Sequence, residues 1–247
     1  MHAEGNQLSI QRVCFGHQSV GANLIDGLTA VSGGRLNIVE SVTPQTFEKP
    51  VFAHFRVGQN RDPLSKFREF ASVINAGVGA RVDAAFFKLC YVDITAETDI
   101  PRLFEAYRSV MDSLVRAYPG VTFLHVTVPL RRINGGLVGW VRGKFGGLSQ
   151  EQEGQARRHQ YNQLMRSTYE ASGRLFDLAA EEATYSDGRS ATFRYLDRAI
   201  PNFVSDYTDD GGHLNQPAAE RIASRLLDFV ASGGAVRGIR SERGSLP

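Results

Sequence analysis

VCFGHQSVG, residues 13–21, is the stretch from which the organisation of this chain can be worked out. Its first three residues are apolar and predict a buried strand, and the apolar residues from Val20 to Val31 recur at helical spacing. Ser19 therefore stands at the turn from a strand to a helix. A serine there holds its hydroxyl clear of the sheet and beside the first N–H groups of the helix, which can stabilise an oxyanion. Serine is also a preferred helix N-cap, so this stretch alone leaves both roles open.

The same strand-then-helix pattern continues along the chain. Apolar runs predict further strands at residues 36–42, 84–92, 121–129 and 175–179. Helices are predicted at about residues 19–31 and 151–172, and after Asp62, Asp99 and Asn215. The segments 43–60 and 184–212 are interpreted as polar or irregular connections. Such alternation predicts a parallel sheet covered by helices on both faces, with the functional site at the carboxyl ends of the strands.

The chain has 247 residues, which is enough for one α/β domain with a full-sized core. We predict a single domain over residues 1–233 and a loose tail over residues 234–247, which lacks an apolar face. Residues 131–150 contain many glycines and basic side chains, which predicts a flexible loop beside the site.

Composition and motifs exclude several classes of protein. The net charge of +2 gives no indication of nucleic-acid binding, and no segment is apolar enough to span a membrane. No signal peptide is visible, which favours the cytoplasm by default and export only if a leader has been removed. The histidines and the two cysteines have no metal-ligand spacing, and phosphate-loop and dinucleotide motifs are missing, so we predict no metal and no cofactor. Oligomeric state and compartment stay open.

DDGGHLN, residues 209–215, precedes the last predicted helix and is the second chemically informative stretch. Asp210 lies three residues before His213, a spacing at which a carboxylate can hold the Nδ1–H of the imidazole and leave Nε2 for a serine hydroxyl. The alternative is that the aspartates and glycines form a turn and His213 is merely exposed.

The two stretches together resemble the SGNH hydrolases, also called GDSL-type esterases, over residues 12–232. That resemblance implies a three-layer α/β/α flavodoxin-like fold with a five-stranded parallel sheet. It also implies that Ser19 is the nucleophile, and that Asp210 and His213 complete a catalytic triad.

The chain departs from the pattern of that family at two motifs. Its first motif is normally Gly-Asp-Ser, whereas this chain has Gly-His-Gln-Ser at residues 16–19. Its third motif is normally Gly-x-Asn-Asp, whereas residues 90–93 read Cys-Tyr-Val-Asp, so the asparagine that donates to the oxyanion is missing. The resemblance implies oxyanion donors at the backbone of Ser19 and Gly58, and Asn60 or Gln18 can replace the missing amide. Weaker candidates for contact with substrate are His17, Gln18, Tyr91 and Asp93.

The function expected from these residues is that of a serine esterase acting on a small acyl ester, with acetylated carbohydrate as one candidate substrate. One alternative is an O-acyltransferase, which uses the same three residues but passes the acyl group to a sugar hydroxyl. The other is a carbohydrate-binding or accessory domain that has kept the fold and lost turnover, as the missing asparagine suggests.

Overall fold

Strand β1, Arg12–His17, lies at the centre of a parallel sheet in the computed structural model, which describes residues 11–133 and 147–234. It pairs with β3, Val51–Arg56, on one side and with β4, Ala84–Phe87, on the other. The edges are β2, Ile38–Val39, beside β3 and β5, Thr122–Phe123, beside β4. The order is therefore β2–β3–β1–β4–β5, and the predicted five-stranded parallel sheet is confirmed.

The assignment of residues 43–60 to a connection is wrong, because they contain β3. The strand was missed because His54 is a polar residue in an otherwise apolar run. Its ring can be buried because Nδ1 is hydrogen-bonded to Nε2 of His17, 3.0 Å away. A separate two-stranded parallel sheet is formed by β6, His125–Val126, and β7, Leu175–Phe176. It adjoins the main sheet, because Leu124, between β5 and β6, donates its N–H to the carbonyl of Ala85 in β4. If the two-residue edge strand β2 is left out and β5 and β6 are counted as one strand, the order is β3–β1–β4–β5/β6–β7. Renumbered along the chain, this is the flavodoxin-like order 2-1-3-4-5.

Helices cover both faces of this sheet. On one face lie α1, Val20–Ser32, and α6, Gln216–Ala231, packed on Phe15 and Phe86. On the other lie α2, Pro63–Asn75, α3, Ile100–Ala117, and α4, Gly147–Tyr169, around Cys14 and Phe87. The predicted N-caps Asp62, Asp99 and Asn215 each accept a backbone N–H of the first turn. The three-layer α/β/α arrangement is thus confirmed.

Several predicted elements differ in extent from those observed. The strand predicted over 36–42 is limited to Ile38–Val39, and the one predicted over 121–129 consists of Thr122–Phe123 and His125–Val126. The run 84–92 ends as a strand at Phe87, because the Asp93 carboxylate binds the N–H of Cys90 and closes a 3₁₀ turn over Tyr91–Asp93. The run 175–179 ends as a strand at Phe176, because Asp177 caps a short helix α5, Leu178–Ala183. The segment 184–212 contains an antiparallel hairpin of β8, Thr192–Tyr195, and β9, Arg198–Pro201.

Two predicted features fall largely outside the described residues. Of the predicted loop 131–150, residues 134–146 lie outside them, as do residues 235–247 of the predicted tail. Within residues 11–133 and 147–234, no helix combines the length and apolarity that crossing a membrane requires.

Helices α1 and α6 pack closely against each other at Gly27. A Cβ placed there would lie 2.4 Å from the carbonyl oxygen of Ala219 and 2.8 Å from the Cβ of Ala223. Both distances are too short for a real contact, so this helix pair needs glycine at position 27.

We expect Gly27→Ala to lower the free energy of unfolding by about 1–3 kcal/mol, measured by urea denaturation, because overpacking outweighs the better helix propensity of alanine. Gly120→Ala is the matched control, since a Cβ at position 120 meets no atom within 4 Å. Equal stabilities of the two variants would contradict a close contact between these helices.

Candidate active site

Ser19 occupies a strained turn between β1 and α1. Its backbone has φ 50° and ψ −116°, a conformation that favours glycine and costs other residues about 1–3 kcal/mol. Although it stands at the N-cap position, its side chain makes no capping hydrogen bond. Its Oγ instead lies 2.7 Å from Nε2 of His213. The N-cap role considered from the sequence therefore does not describe this side chain.

The loop before α6 folds tightly around the carboxylate of Asp210. Oδ1 accepts the N–H groups of Gly212 and His213, each at 2.8 Å. Oδ2 lies 2.5 Å from Nδ1 of His213. Partial burial acts to raise the pKa of Asp210, but the hydrogen bonds from His213 and from the two backbone N–H groups outweigh it and hold that pKa well below its ordinary range.

These contacts form one continuous chain of hydrogen bonds from Asp210 through His213 to Ser19. An ionised Asp210 accepts the Nδ1–H of the imidazole, which leaves the Nε2 lone pair facing the serine hydroxyl. The arrangement can therefore move a proton from Ser19 Oγ to His213. The imidazole and carboxylate side chains are 41% and 57% exposed, so both are accessible from solvent.

Gly58 is not available as an oxyanion donor in this structure. Its N–H donates to Oε2 of Glu69 at 2.8 Å, and its carbonyl accepts a hydrogen bond from Nε2 of Gln18. Glycine is required here for the backbone, because φ is 58° and a Cβ would lie 2.5 Å from the backbone nitrogen of Lys66. The N–H of Ser19, by contrast, donates to no group within residues 11–133 and 147–234.

Asn60 is exposed on the loop between β3 and α2, and its side chain is oriented by a buried lysine. Nζ of Lys66 donates to Asn60 Oδ1 at 3.1 Å and to Asp93 Oδ2 at 2.5 Å. The side chains of Lys66 and Asp93 have no solvent exposure. Asp93 also accepts the N–H groups of Arg61 and Cys90. The carboxylate of Asp93, considered from the sequence as a substrate contact, is therefore buried and engaged within the protein.

His17 and Gln18 are also occupied by contacts within the protein. His17 is buried against His54, and the pKa of His17 is lowered to about 3 by burial and by the nearby charge of Lys88. The amide of Gln18 donates to the carbonyls of Val57 and Gly58, which ties the turn at Ser19 to the loop after β3. Neither the buried ring of His17 nor the donor group of Gln18 is free for the substrate contact considered from the sequence.

Tyr91, the remaining predicted substrate residue, lines an open cleft of about 510 Å³ beside His213. Its ring meets the imidazole edge-on, with the ring centroids 6.2 Å apart, and the guanidinium of Arg131 lies 5.9 Å from its centre. Arg158, a buried side chain, donates to the carbonyls of Tyr91 and Ile94 and so holds this wall in place. The lining of the cleft is largely polar, and Tyr91 is the wall residue that contacts the imidazole of His213.

Lys66 was not singled out from the sequence, although a signal was present. It stands in helical phase with Phe70 and Ile74, on the face of α2 that packs into the core. A lysine on such a face needs a buried partner. Within the described ranges, no group of three or more His, Cys, Asp or Glu side chains is placed to hold a metal ion.

Comparison of whole structures shows that solved proteins of low sequence identity share this fold. The periplasmic domain of a lipopolysaccharide acetyltransferase from Salmonella ser. Paratyphi A aligns with a TM-score of 0.52 and 12% identity, over 91% of this chain and 85% of that chain. A Streptococcus pneumonia protein, provisionally described as a platelet activating factor, aligns with a TM-score of 0.53 and 14% identity, over 92% of this chain and 86% of that chain. No protein-family model matches the sequence, and the comparison with curated proteins gives no match.

We expect Ser19→Gly to be about 1 kcal/mol more stable than Ser19→Ala, because glycine adopts a positive φ without strain. Urea denaturation of the two variants measures the difference. The control pair is Ser113→Gly and Ser113→Ala, at an exposed position inside α3. There we expect the alanine variant to be the more stable, because glycine is the poorer helix former. The same order at both positions would contradict strain at Ser19.

We expect the free energy of unfolding to decrease as the pH falls from about 6.5 towards 4. The folded-state pKa of His17, about 3, lies below its ordinary value of 6.5, so in this window the unfolded chain binds the proton more readily. Denaturation at a series of pH values measures this slope. We expect the free energy of unfolding of His17→Gln to fall less steeply than that of the wild type, with a difference in slope of up to about 1.4 kcal/mol per pH unit. Identical slopes for the two proteins would contradict a buried neutral imidazole.

Proposed function

We propose that this chain is a divergent SGNH-type serine enzyme that cleaves small acyl esters, with Ser19 as nucleophile, His213 as general base and Asp210 as the group that orients His213. The observation that carries the proposal is the hydrogen-bonded chain of these three residues. Ser19 and His213 are 194 positions apart in the sequence, yet Oγ and Nε2 lie 2.7 Å apart. The proposal treats residues 1–233 as one functional domain.

In the proposed mechanism, Ser19 Oγ attacks the acyl carbon while its proton passes to Nε2 of His213. The new bond from Oγ to carbon forms as the carbonyl electrons move to oxygen, and Asp210 stabilises the imidazolium. The resulting oxyanion accepts hydrogen bonds from the Ser19 N–H and the Asn60 amide, at the positive end of α1. When this intermediate collapses, the ester carbon–oxygen bond breaks and His213 protonates the leaving alcohol.

Completion of the cycle requires a second acceptor for the acyl group. For hydrolysis, water loses a proton to Nε2 and attacks the acyl-enzyme, which releases the acid and returns the proton to Ser19. The 41% exposure of the His213 side chain supports this route, because water has direct access to the base. We therefore propose hydrolysis as the main activity.

An acetyl group on a carbohydrate is the proposed substrate. The Salmonella domain of the same fold belongs to a lipopolysaccharide acetyltransferase, which supports an acetyl group and a glycan as reacting partners. The polar cleft at Tyr91 suits the hydroxyl-rich part of such a substrate. That likeness also favours acyl transfer as the second candidate, with a sugar hydroxyl replacing water.

We expect a fluorophosphonate probe to label the wild-type protein at Ser19, because the activated hydroxyl attacks phosphorus as it would an acyl carbon. Labelling, followed by mass spectrometry, should vanish in Ser19→Ala and persist in Ser113→Ala, the exposed control on α3.

Hydrolysis of an aryl acetate should fall by about 10²–10⁴-fold in Asp210→Asn, since His213 then loses its orienting carboxylate.

Two results would count against this function. Folded wild-type protein that is neither labelled nor active on an aryl acetate or an acetylated sugar would support the accessory-domain alternative. If acetylated sugar were the main product in a mixture of aryl acetate and free sugar, transfer would replace hydrolysis as the main activity.

A further inference from the structure

Lys66 is a fully buried cation that the proposed chemistry does not use directly. Its ammonium lies 2.5 Å from the carboxylate of Asp93, and neither side chain has any solvent exposure. Burying such a pair involves a large desolvation cost, which makes it a weak source of stability compared with apolar side chains of similar size. The contacts of this pair with neighbouring groups therefore indicate its role better than its contribution to stability does.

The buried pair connects the loop after β3 to the nucleophile turn. Asp93 accepts the N–H of Arg61 on that loop and the N–H of Cys90, which lies three residues after the end of β4. The thiol of Cys90 lies 3.7 Å from the carbonyl oxygen of Gln18, the residue before Ser19. Lys66 and Asp93 thus fix the loop that carries Asn60 relative to Cys90, and through Cys90 relative to the turn at Ser19.

The third contact of this pair determines which way the amide of Asn60 faces. An ammonium has only donors, so it binds the amide oxygen of Asn60 and not its nitrogen. With Oδ1 held by Lys66, the Nδ2 group faces away from the ammonium. That Nδ2 group donates to nothing in the part of the chain that the structure describes, so both of its N–H groups remain for a ligand.

We propose that Lys66 is a positioning residue, which holds the amide oxygen of Asn60 so that the amide N–H groups donate to the oxyanion. The inference rests on the proposed function and extends it. It accounts for the missing asparagine of residues 90–93, because the donor comes from the neighbouring loop and is oriented by a lysine from α2. Asp93 then serves the site indirectly, by holding Lys66.

The test is a double-mutant cycle on aryl acetate hydrolysis, with kcat and KM measured for wild type, Asn60→Ala, Lys66→Met and the double variant. We expect Asn60→Ala to lower kcat about 100-fold, as loss of one oxyanion donor does, with little change in KM. Lys66→Met should lower kcat about tenfold in the wild type and have no further effect in the Asn60→Ala background. Asn60→Asp retains an acceptor for Lys66 but has no N–H donor, so it should lower kcat at least as much as Asn60→Ala.

Several results would overturn the inference. A Lys66→Met change that lowers kcat by the same factor with and without Asn60 would assign Lys66 a purely structural role. If Lys66→Met does not fold, Lys66→Met with Asp93→Asn removes both buried charges, and Asn60→Ala should then lower kcat less than about tenfold in that background. A full 100-fold effect there would contradict positioning by Lys66. Hydrolytic activity that persists in Ser19→Ala would instead refute the proposed function. If Ser19→Ala is inactive but the effects of Asn60→Ala and Lys66→Met on kcat are additive, only the inference about Lys66 is refuted.

Discussion

Close packing of α1 against α6 is the constraint on which the candidate site depends. Ser19 directly precedes α1 and His213 precedes α6, so the two helices place their N-terminal ends, and with them the two side chains, at the same edge of the sheet. The contact at Gly27 sets how near the helix axes come. A change of about an ångström in that spacing would break a 2.7 Å hydrogen bond, because such bonds weaken steeply with distance.

A second constraint acts from the other face of the sheet, through residues that never reach solvent. Lys66 and Asp93 hold the loop after β3, while Gln18 ties that loop to the turn at Ser19. The site is therefore assembled where three neighbouring parallel strands end, with α1 and α6 on one side and α2 on the other. In the proposed mechanism, the first side supplies the proton chain and the second orients the oxyanion donor.

Features that depend on neighbouring residues could be read from the sequence, whereas those that depend on distant ones could not. The turn at Ser19 and the Asp210–His213 pair are local, and the structure brings these three residues together. Strand β3 was missed because its buried His54 is satisfied by His17 on another strand. The direction of the Gly58 N–H depends on a positive φ and on Glu69, neither of which a motif reveals.

The strained backbone at Ser19 also bears on how the sequence of such a domain changes over time. A positive φ favours glycine over serine at this position, so we expect serine to be kept where its hydroxyl has a use. In a lineage that had stopped turning over substrate, replacement of Ser19 by glycine would relieve strain and cost nothing. Among relatives of this chain, glycine or serine after the His-Gln pair would therefore distinguish binding modules from enzymes without any assay.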